Sequence, residues 1–403
     1  MAMRRKLKRG RRSVFGKRGM PPALKTTLWI VACVAVVAAG YFGAMWASEG
    51  SLPQLDIPSS NTDTPSGSVD IPSDNGGSNG DNAVPNTPDT PKPPVDTPDV
   101  TEDIRAFYLP HTAFKSDTLS ATLTAAYNAG FNAVLFDLKD ADGNLYYQFT
   151  NAQAKKVGSY TADAFTANEL DALFDTIRGC GLLPIPRLYA FCDNAAASAL
   201  TDARIALEGN HTWAWYDGDP NNGGKKWLNP YSESAHTYIG ALASELKDKG
   251  AAAVMLDGVQ FPKQLSSAYL GEDAATVTKD AVLTAFVEKT RTLLGADCPL
   301  LLACTAESAL STNTQVYGGN PLTFGATITS PLLTSKVKES VEKMILRTQV
   351  LEKKPILAPL LAADELTAAK VKDAISACVQ GGAKSFIVYA IDGQYDFAAY
   401  DLP

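Results

Sequence analysis

One carboxylate stands at the end of the most apolar run in the middle of the chain. Residues 251–256 read AAAVML, and Asp257 and Gly258 follow directly. An uninterrupted apolar run of this length is typical of a strand buried on both faces of a parallel sheet. The carboxyl end of such a strand is where α/β barrels and open α/β sheets bind their ligands. Asp257 is therefore the first candidate for chemistry, and a turn or helix-capping aspartate is the alternative.

Other polar residues follow the remaining apolar runs at equivalent positions. Carboxylates, an arginine and aromatic rings on one rim suit a sugar site, because pyranose faces stack on indole rings while sugar hydroxyls bind charged groups. The candidates are Asp137, Lys139 and Asp140 after the second run, Arg187 and Tyr189 after the third, Gln260 after the fourth, Glu307 after the fifth, Tyr389 and Asp392 after the last, and Trp227 and Asn229 in the loop before the fourth.

Paired carboxyl groups are what glycoside hydrolysis generally needs. They stand about 5–5.5 Å apart in retaining enzymes and about 6.5–9.5 Å apart in inverting ones. We predict Asp257 as the nucleophile or general base and Glu307 as the first choice for the acid, with Asp137 or Asp140 as the second. The basic side chains of the second and third runs would orient a carboxylate or a sugar hydroxyl, and the other candidates would bind substrate.

Metal and cofactor sites are not predicted. DADGN at 140–144 is similar to the start of a calcium loop, but the terminal glutamate is missing and Asp-Gly is an ordinary turn signal. The five cysteines outside the N-terminal region form no C-x-x-C site, and their odd number argues against a complete disulfide framework. Whether Cys298 and Cys304 form a disulfide bridge is left open. The role of the tryptophans at 213–227, as substrate platform or loop core, is also left open.

The elements that would hold these residues alternate along the chain. Eight apolar runs are separated by helical segments over about 300 residues, which favours a closed (β/α)₈ TIM barrel at 104–403 over an open sheet. The predicted strands are 104–109, 132–138, 182–191, 251–257, 299–305, 324–330, 355–361 and 384–391, and the predicted helices are 119–128, 168–179, 233–249, 279–294, 334–352 and 366–380.

The N-terminal quarter has a different composition. Residues 1–25 contain ten basic side chains and no acid, and 26–47 is an uncharged apolar segment long enough to cross a bilayer. This pattern predicts a cytoplasmic tail and one transmembrane helix, with the C-terminal part outside the cell. A cleaved signal peptide is the alternative. The Pro, Ser and Asp-rich stretch at 48–103 has too few apolar residues to fold and is predicted to be a disordered linker.

The charge balance bears on partners. The formal charge is −7 in total, and because the basic tail contributes +10, the rest of the chain is strongly acidic. Nucleic-acid binding by the folded part is not expected, since it lacks the usual basic face. A membrane-tethered sensor is disfavoured too, because the basic tail has no motif for a cytoplasmic output. A polysaccharide or oligosaccharide is the predicted partner.

Several blocks in order resemble a family of bacterial, surface-exposed TIM barrels of the glycoside hydrolase type. The blocks are FNAVLFDLKDADGNLYY, GLLPIPRLYAFCD, WLNPYSES, LDGVQFP, TSPLL and GGAKSFIVYAIDGQY, between about residues 104 and 396. The resemblance implies a (β/α)₈ fold and hydrolysis of a glycosidic bond in a cell-wall or surface polysaccharide. Gly258, Gln260 and Asn229 depart from the family pattern, and the block before Glu307 lacks its usual aspartate. These departures favour an alternative, a degenerate barrel that binds glycan as an adhesin or scaffold.

Overall fold

A computed structural model describes residues 103–311, 315–362, 367–400 and 402. The predicted tail, transmembrane helix and nearly all of the predicted linker lie outside these residues. Within the described part of the chain, none of the helices combines the length and the apolar character needed to span a bilayer.

The central sheet is a closed barrel of parallel strands. Each strand pairs with its neighbours in chain order, and the first strand pairs with both the second and the last, which closes the ring. The strands are β1 (Arg105–Leu109), β2 (Ala133–Lys139), β3 (Leu183–Tyr189), β4 (Val254–Asp257), β5 (Leu300–Thr305), β6 (Ile328–Leu333), β7 (Ile356–Leu357 and Leu360–Ala362) and β8 (Phe386–Tyr389).

Helices cover the outside of the barrel. They begin at capping residues such as Thr166, whose hydroxyl accepts from the Glu169 amide while the Glu169 carboxylate accepts from the Thr166 amide. The long helices are α1 (Leu119–Asn128), α2 (Ala167–Gly179), α3 (Glu233–Asp248), α4 (Lys279–Leu294), α5 (Val337–Gln349) and α6 (Ala368–Gln380). β5 is followed only by a short helix, Ala306–Leu310.

Short strands and helices lie in the loops that connect the barrel strands and helices. An antiparallel sheet joins the loop after β3 to the loop after β4 through Ala206–Leu207, Asn210–Ala214 and Ala268–Tyr269. Leu145–Tyr147 and Tyr160–Phe165 extend the edge of β2. Two further short helices are Ala152–Val157 and Asn194–Ala199, and 3₁₀ turns lie at His111–Lys115, Pro220–Asn222, Glu272–Ala275, Pro321–Thr323 and Phe397–Ala399.

Alternation along the strands decides which side chains fill the barrel. Ala133 and Leu135 of β2 belong to one buried cluster inside the ring, together with Leu183 and Ile185 of β3 and Met255 of β4. Because strand side chains alternate between faces, the next inward positions are the polar residues at the carboxyl ends of these strands. At the carboxyl ends of the strands, the apolar interior of the barrel is therefore followed by a layer of polar side chains. The larger cluster, between strands and helices, forms the outer core.

β3 carries two prolines that affect its seam with β4. Leu183 donates its amide toward β2, and amides of successive residues in a parallel strand alternate between neighbours. The amide positions of Pro184 and Pro186 therefore face β4, where proline has no hydrogen to donate. The register between the two strands begins only at Arg187, which pairs with Met255.

The predicted barrel is confirmed, and each predicted strand overlaps an observed one, although β4 begins three residues later than predicted and β6 lies three to four residues further along the chain. The predicted helices also agree, although α5 is three residues shorter at each end and α6 begins two residues later. All five described cysteines are free, including Cys298 and Cys304.

Candidate active site

Arg187 is the centre of the polar layer at the carboxyl ends of the strands. Its Nε donates to Asp137 Oδ1 at 2.6 Å and its Nη2 to Asp137 Oδ2 at 3.1 Å, a bidentate pair. Its Nη1 lies 3.3 Å from Asp257 Oδ2, and Nη2 also donates to the Tyr389 hydroxyl at 3.1 Å. Strands β2, β3, β4 and β8 thus each contribute one polar side chain to a connected network.

Aromatic rings surround the guanidinium. Its carbon lies 5.2 Å from the ring centroid of Tyr108 and 5.1 Å from those of Tyr189 and Tyr389, distances at which cation–π attraction operates. The Arg187 side chain is only 3% exposed. Burial acts to lower the pKa of Arg187, but Asp137 and then Asp257 more than offset it, so the pKa is raised and the charge is permanent.

The Tyr108 hydroxyl donates to Asp137 Oδ2 at 2.8 Å. Burial and the Asp137 charge raise the pKa of Tyr108 well above its usual value, which keeps the phenol protonated as a donor. Tyr189 behaves similarly, since burial and Asp257 raise its pKa. Asp137 is therefore held from two sides, and its carboxylate is 13% exposed.

Asp257 is the more open of the two carboxylates, with 24% of its side chain exposed. Its Oδ1 accepts from the amide of Gly258 at 2.7 Å. Gly258 has φ of 62°, in the left-handed region that glycine adopts at little cost, and the chain turns away from the strand there. Asp257 therefore presents a partly solvent-facing carboxylate beside a fixed positive charge.

Two groups near Asp257 come from the β5 side of the barrel. Cys304 lies at the end of the predicted fifth strand, whereas no pattern in the sequence indicated Tyr317. Cys304 and Tyr317 are buried. Burial raises the pKa of both, and the Asp257 charge adds to the effect, which indicates that Asp257 is near them. Tyr108 was missed as well. Tyrosine on an apolar strand reads as core, and only the inward alternation of β1 would have identified it.

Lys139 does not join the Arg187 network. Its ammonium pairs with Asp193 Oδ2 at 2.9 Å, with both side chains fully buried, and it also donates to the Tyr189 carbonyl. The register of β2 against β3 shifts between Asp137 and Lys139. This β-bulge breaks the alternation that would have turned Lys139 inward. Asp193 also caps the helix Asn194–Ala199 by accepting from the Ala196 amide. We interpret the pair as structural.

Asp140 is engaged by its own loop. Its carboxylate accepts from the amides of Asp142 and Asn144, the Asn144 side chain and the Tyr146 hydroxyl. Burial acts to raise the pKa of Asp140, but the bonds from Asn144 and Tyr146 outweigh it and the pKa is lowered. The group is thus a fixed acceptor that shapes the DADGN turn.

The loop candidates are also bound to the protein. Trp227 is 8% exposed, and its indole N–H donates to Asp217 at 2.8 Å. Asn229 is buried, where its amide donates to the Leu270 carbonyl at 2.9 Å and its oxygen accepts from the Tyr231 amide. Both side chains join loop segments together. Gln260 is half-buried, three residues after Asp257.

Two candidates lie toward solvent. Glu307 is exposed in the first turn of the helix Ala306–Leu310. Within the described part of the chain, its carboxylate makes no hydrogen bond or ion pair with the Arg187 network. Asp392 is exposed in the turn after β8, where it accepts from the Gln394 amide. It lines a cavity of about 560 Å³ beside Leu109 and Tyr395.

Metal binding has no support among residues 103–311, 315–362 and 367–400. No three or more His, Cys, Asp or Glu side chains there are grouped so as to hold an ion.

Residues 106–302 of the chain match a family described as "Putative glycosyl hydrolase domain". The matched residues run from β1 into β5 and include Asp137, Arg187 and Asp257. The match supports a glycan-acting, hydrolase-like function. No curated protein matches the sequence.

Solved structures that the chain matches include a hypothetical protein from Ruminiclostridium thermocellum, at 22% identity and a TM-score of 0.42 over 49% of this chain and 96% of that one. A GH20 exo-β-N-acetylglucosaminidase from Vibrio harveyi is 12% identical, with a TM-score of 0.44 over 64% of this chain and 41% of that one. A β-N-acetylhexosaminidase is 14% identical, with a TM-score of 0.49 over 74% and 70%. The chain spans well under two thirds of the Vibrio enzyme.

Proposed function

We propose that the barrel is a glycoside hydrolase acting on a cell-wall or surface polysaccharide. The observation that carries the proposal is the partly exposed Asp257 carboxylate, held beside the buried Arg187 guanidinium at the open rim of the barrel. A fixed carboxylate next to a permanent positive charge suits a nucleophile or a general base. Tyr389 and Tyr189 line the same rim and would contact the sugar.

Each member of the proposed site has a separate task. Asp257 attacks the anomeric carbon or activates water, and Glu307 protonates the leaving oxygen from the loop after β5. Asp137 takes no part in proton transfer, because its two oxygens already accept from Arg187 and Tyr108. It keeps the guanidinium in position instead.

The proposed location comes from the N-terminal sequence. The basic tail at 1–25 and the apolar segment at 26–47 would anchor the protein with its N-terminus in the cytoplasm. The linker at 48–103 would then hold the barrel outside the cell, near wall polymers. No cofactor or nucleic acid is part of this proposal.

Glycan binding without cleavage is the second candidate, as in an adhesin or a wall-associated scaffold. Two observations favour it. Glu307 has no contact with the Arg187 network in the described part of the chain, and the most central carboxylate, Asp137, already accepts three hydrogen bonds from Arg187 and Tyr108. A barrel with a single available carboxylate would keep its rim and lack the acid.

The test is release of reducing ends from cell-wall and exopolysaccharide preparations by the full-length protein. Asp257→Asn and Glu307→Gln are compared with the wild type. Matched controls are Asp373→Asn, on the exposed face of α6, and Glu352→Gln, in the loop that enters β7 from the opposite end of the barrel.

We expect cleavage by the wild type and both controls, and a loss of at least about 100-fold in each rim variant. Loss of reducing-end release in Asp257→Asn alone would support a hydrolase in which Glu307 is not the acid. Retention of polysaccharide without release by any form would establish the binding protein instead.

A further inference from the structure

Three aromatic side chains form a strip on the small antiparallel sheet above the rim, two of them exposed and Tyr269 half-buried. The aromatic strip consists of His211, Trp213 and Tyr269. Trp213 is 63% exposed, whereas Trp215 is only 4% exposed. The rings of His211 and Tyr269 stack with centroids 3.5 Å apart and planes 8° from parallel. Among the described residues, Trp213 is the most exposed of the Phe, Tyr and Trp side chains, and the stacked pair lies on the same small sheet.

The geometry points to a binding subsite for a neutral polysaccharide chain on this strip. His211 and Trp213 are two residues apart on Asn210–Ala214, and both are exposed. Tyr269, on the neighbouring loop, stacks on His211. The strip therefore offers two flat aromatic surfaces, the Trp213 indole and the stacked His211–Tyr269 pair, and flat aromatic rings are suited to the apolar faces of pyranose units.

The strip is held rigidly. The Trp215 indole N–H donates to the Ser266 carbonyl at 2.9 Å, and the Glu208 amide donates to the Ser267 carbonyl at 2.8 Å. Asn229 adds the bond to Leu270 described above. These bonds tie the loop after β3 to the loop after β4. A rigid platform lowers the entropy lost on binding.

Charge selects the class of polysaccharide. Glu208 is exposed beside the strip, and the Glu272 carboxylate accepts a hydrogen bond from the Tyr269 hydroxyl at 2.8 Å. The Arg204 guanidinium donates to the Thr212 carbonyl on the strip strand at 2.6 Å, so one positive charge lies beside the two carboxylates, and together these charges disfavour an acidic polymer and tolerate a neutral one.

The aromatic strip lies on the same side of the barrel as the proposed site. Its two loops leave the barrel from Tyr189 and Asp257, at the rim that carries the Arg187 network. A polysaccharide held on the strip would therefore be retained next to Asp257. The subsite rests on the proposed function for its role in catalysis, although binding can be measured without cleavage.

The test is retardation of the full-length protein in native gels that contain glycol chitin, hydroxyethyl cellulose, galactomannan or the acidic polymer polygalacturonate. We expect retardation by at least one neutral polymer and none by polygalacturonate. Trp213→Ala should weaken retardation at least 10-fold, and Trp213→Phe should restore part of it. Leu346→Ala is the matched control, because Leu346 on α5 is also 63% exposed and should leave retardation unchanged.

Wild-type retardation by none of the neutral polymers, or equal retardation of Trp213→Ala and wild type, would overturn the subsite. Asp257→Asn separates this result from the proposed function. If that variant is retarded in a Trp213-dependent way and no form releases sugar, the subsite stands without the hydrolase. If sugar is released and Trp213→Ala binds normally, the hydrolase stands without the subsite.

Discussion

Arg187 and Lys139 are basic residues on neighbouring strands, and each pairs with aspartate in a different setting. Lys139 and Asp193 are both 0% exposed. Arg187 is nearly as buried at 3%, but its partners open gradually toward solvent, Asp137 at 13% and Asp257 at 24%. The Lys139–Asp193 pair is fully buried, and we call it the closed pair. The Arg187 network reaches solvent at Asp257, and we call it the open network.

The difference shows that a sequence motif does not define a site on its own. Asp137 and Lys139 are separated by one residue, and the β-bulge between them sends the first to the rim network and the second to a buried pair. Burying a charge is costly unless its partner neutralises it. The closed pair therefore contributes to folding, while the open network keeps a carboxylate that substrate could reach.

Breaking the closed pair should give the largest loss of stability. Lys139→Met leaves Asp193 buried without its cation, and we expect the free energy of unfolding to fall by about 3–5 kcal/mol. Denaturant unfolding measures it. Lys338→Met is the control, because Lys338 and Glu342 form an exposed pair on α5 whose loss should change stability by less than about 0.5 kcal/mol. Similar small changes in both variants would contradict the structural role of Lys139.

Weakening the open network should have a smaller effect on stability and a larger one on function. Arg187→Lys keeps the charge but cannot bridge Asp137 through two parallel hydrogen bonds. We expect a loss of about 2 kcal/mol in unfolding free energy. Cleavage or binding of polysaccharide should fall at least about 10-fold. Wild-type function in this variant would mean that the bidentate bridge from Arg187 to Asp137 is not needed for function.

Removing one hydroxyl should sharpen the comparison further. Tyr108→Phe keeps the ring over Arg187 and deletes only the hydrogen bond to Asp137. We expect a loss of about 1 kcal/mol, because a single hydrogen bond to a charged group that retains its other partners contributes modestly. Chemical denaturation of this variant beside Arg187→Lys measures how much each bond contributes. A loss as large as that of Lys139→Met would show that the Tyr108 hydrogen bond contributes as much to the free energy of unfolding as the buried Lys139–Asp193 pair.

His236, a buried histidine whose Nδ1 lies 3.8 Å from the exposed Glu233 Oε2, should give the smallest effect, and one that depends on pH. Burial lowers the pKa of His236 below its usual 6.5, and its Nε2 lies 2.6 Å from the Pro230 carbonyl oxygen. The unfolded chain therefore binds a proton more readily near pH 6.5 than the folded one, so stability should fall as pH decreases through that range. The effect should be about 1 kcal/mol or less. Thermal unfolding between pH 7.5 and 5.5 measures it, and His236→Gln should reduce the slope.

The barrel could be predicted from sequence because its strands are continuous apolar runs with polar residues at one end. NAVLFDL covers β2 except for its last residue, Lys139, and KSFIVYAI contains the whole of β8. The rim positions of Asp137, Arg187, Asp257 and Tyr389 followed from the same pattern. Whether Asp257 and Glu307 are catalytic stays a prediction.

The remaining features depend on three-dimensional detail that residue type does not encode. The bulge after Asp137 has no proline or glycine to mark it, so Lys139 resembled a rim residue. Trp227 and Trp213 lie in one loop and read alike, yet one is fixed by Asp217 and the other is open. The transmembrane segment and the linker lie outside the described residues and stay predictions.

The prolines of β3 have a consequence for motion. Pro184 and Pro186 remove two donors from the β3–β4 seam below Arg187, where the Ala252 amide donates to the Pro184 carbonyl at 3.0 Å. We expect the Ala252 amide hydrogen, which faces this weakened seam, to exchange with solvent faster than the amide hydrogens of β1. The seam that ends in Arg187 and Asp257 would then be the place where the ring opens first, and the spacing between these two side chains would fluctuate with it.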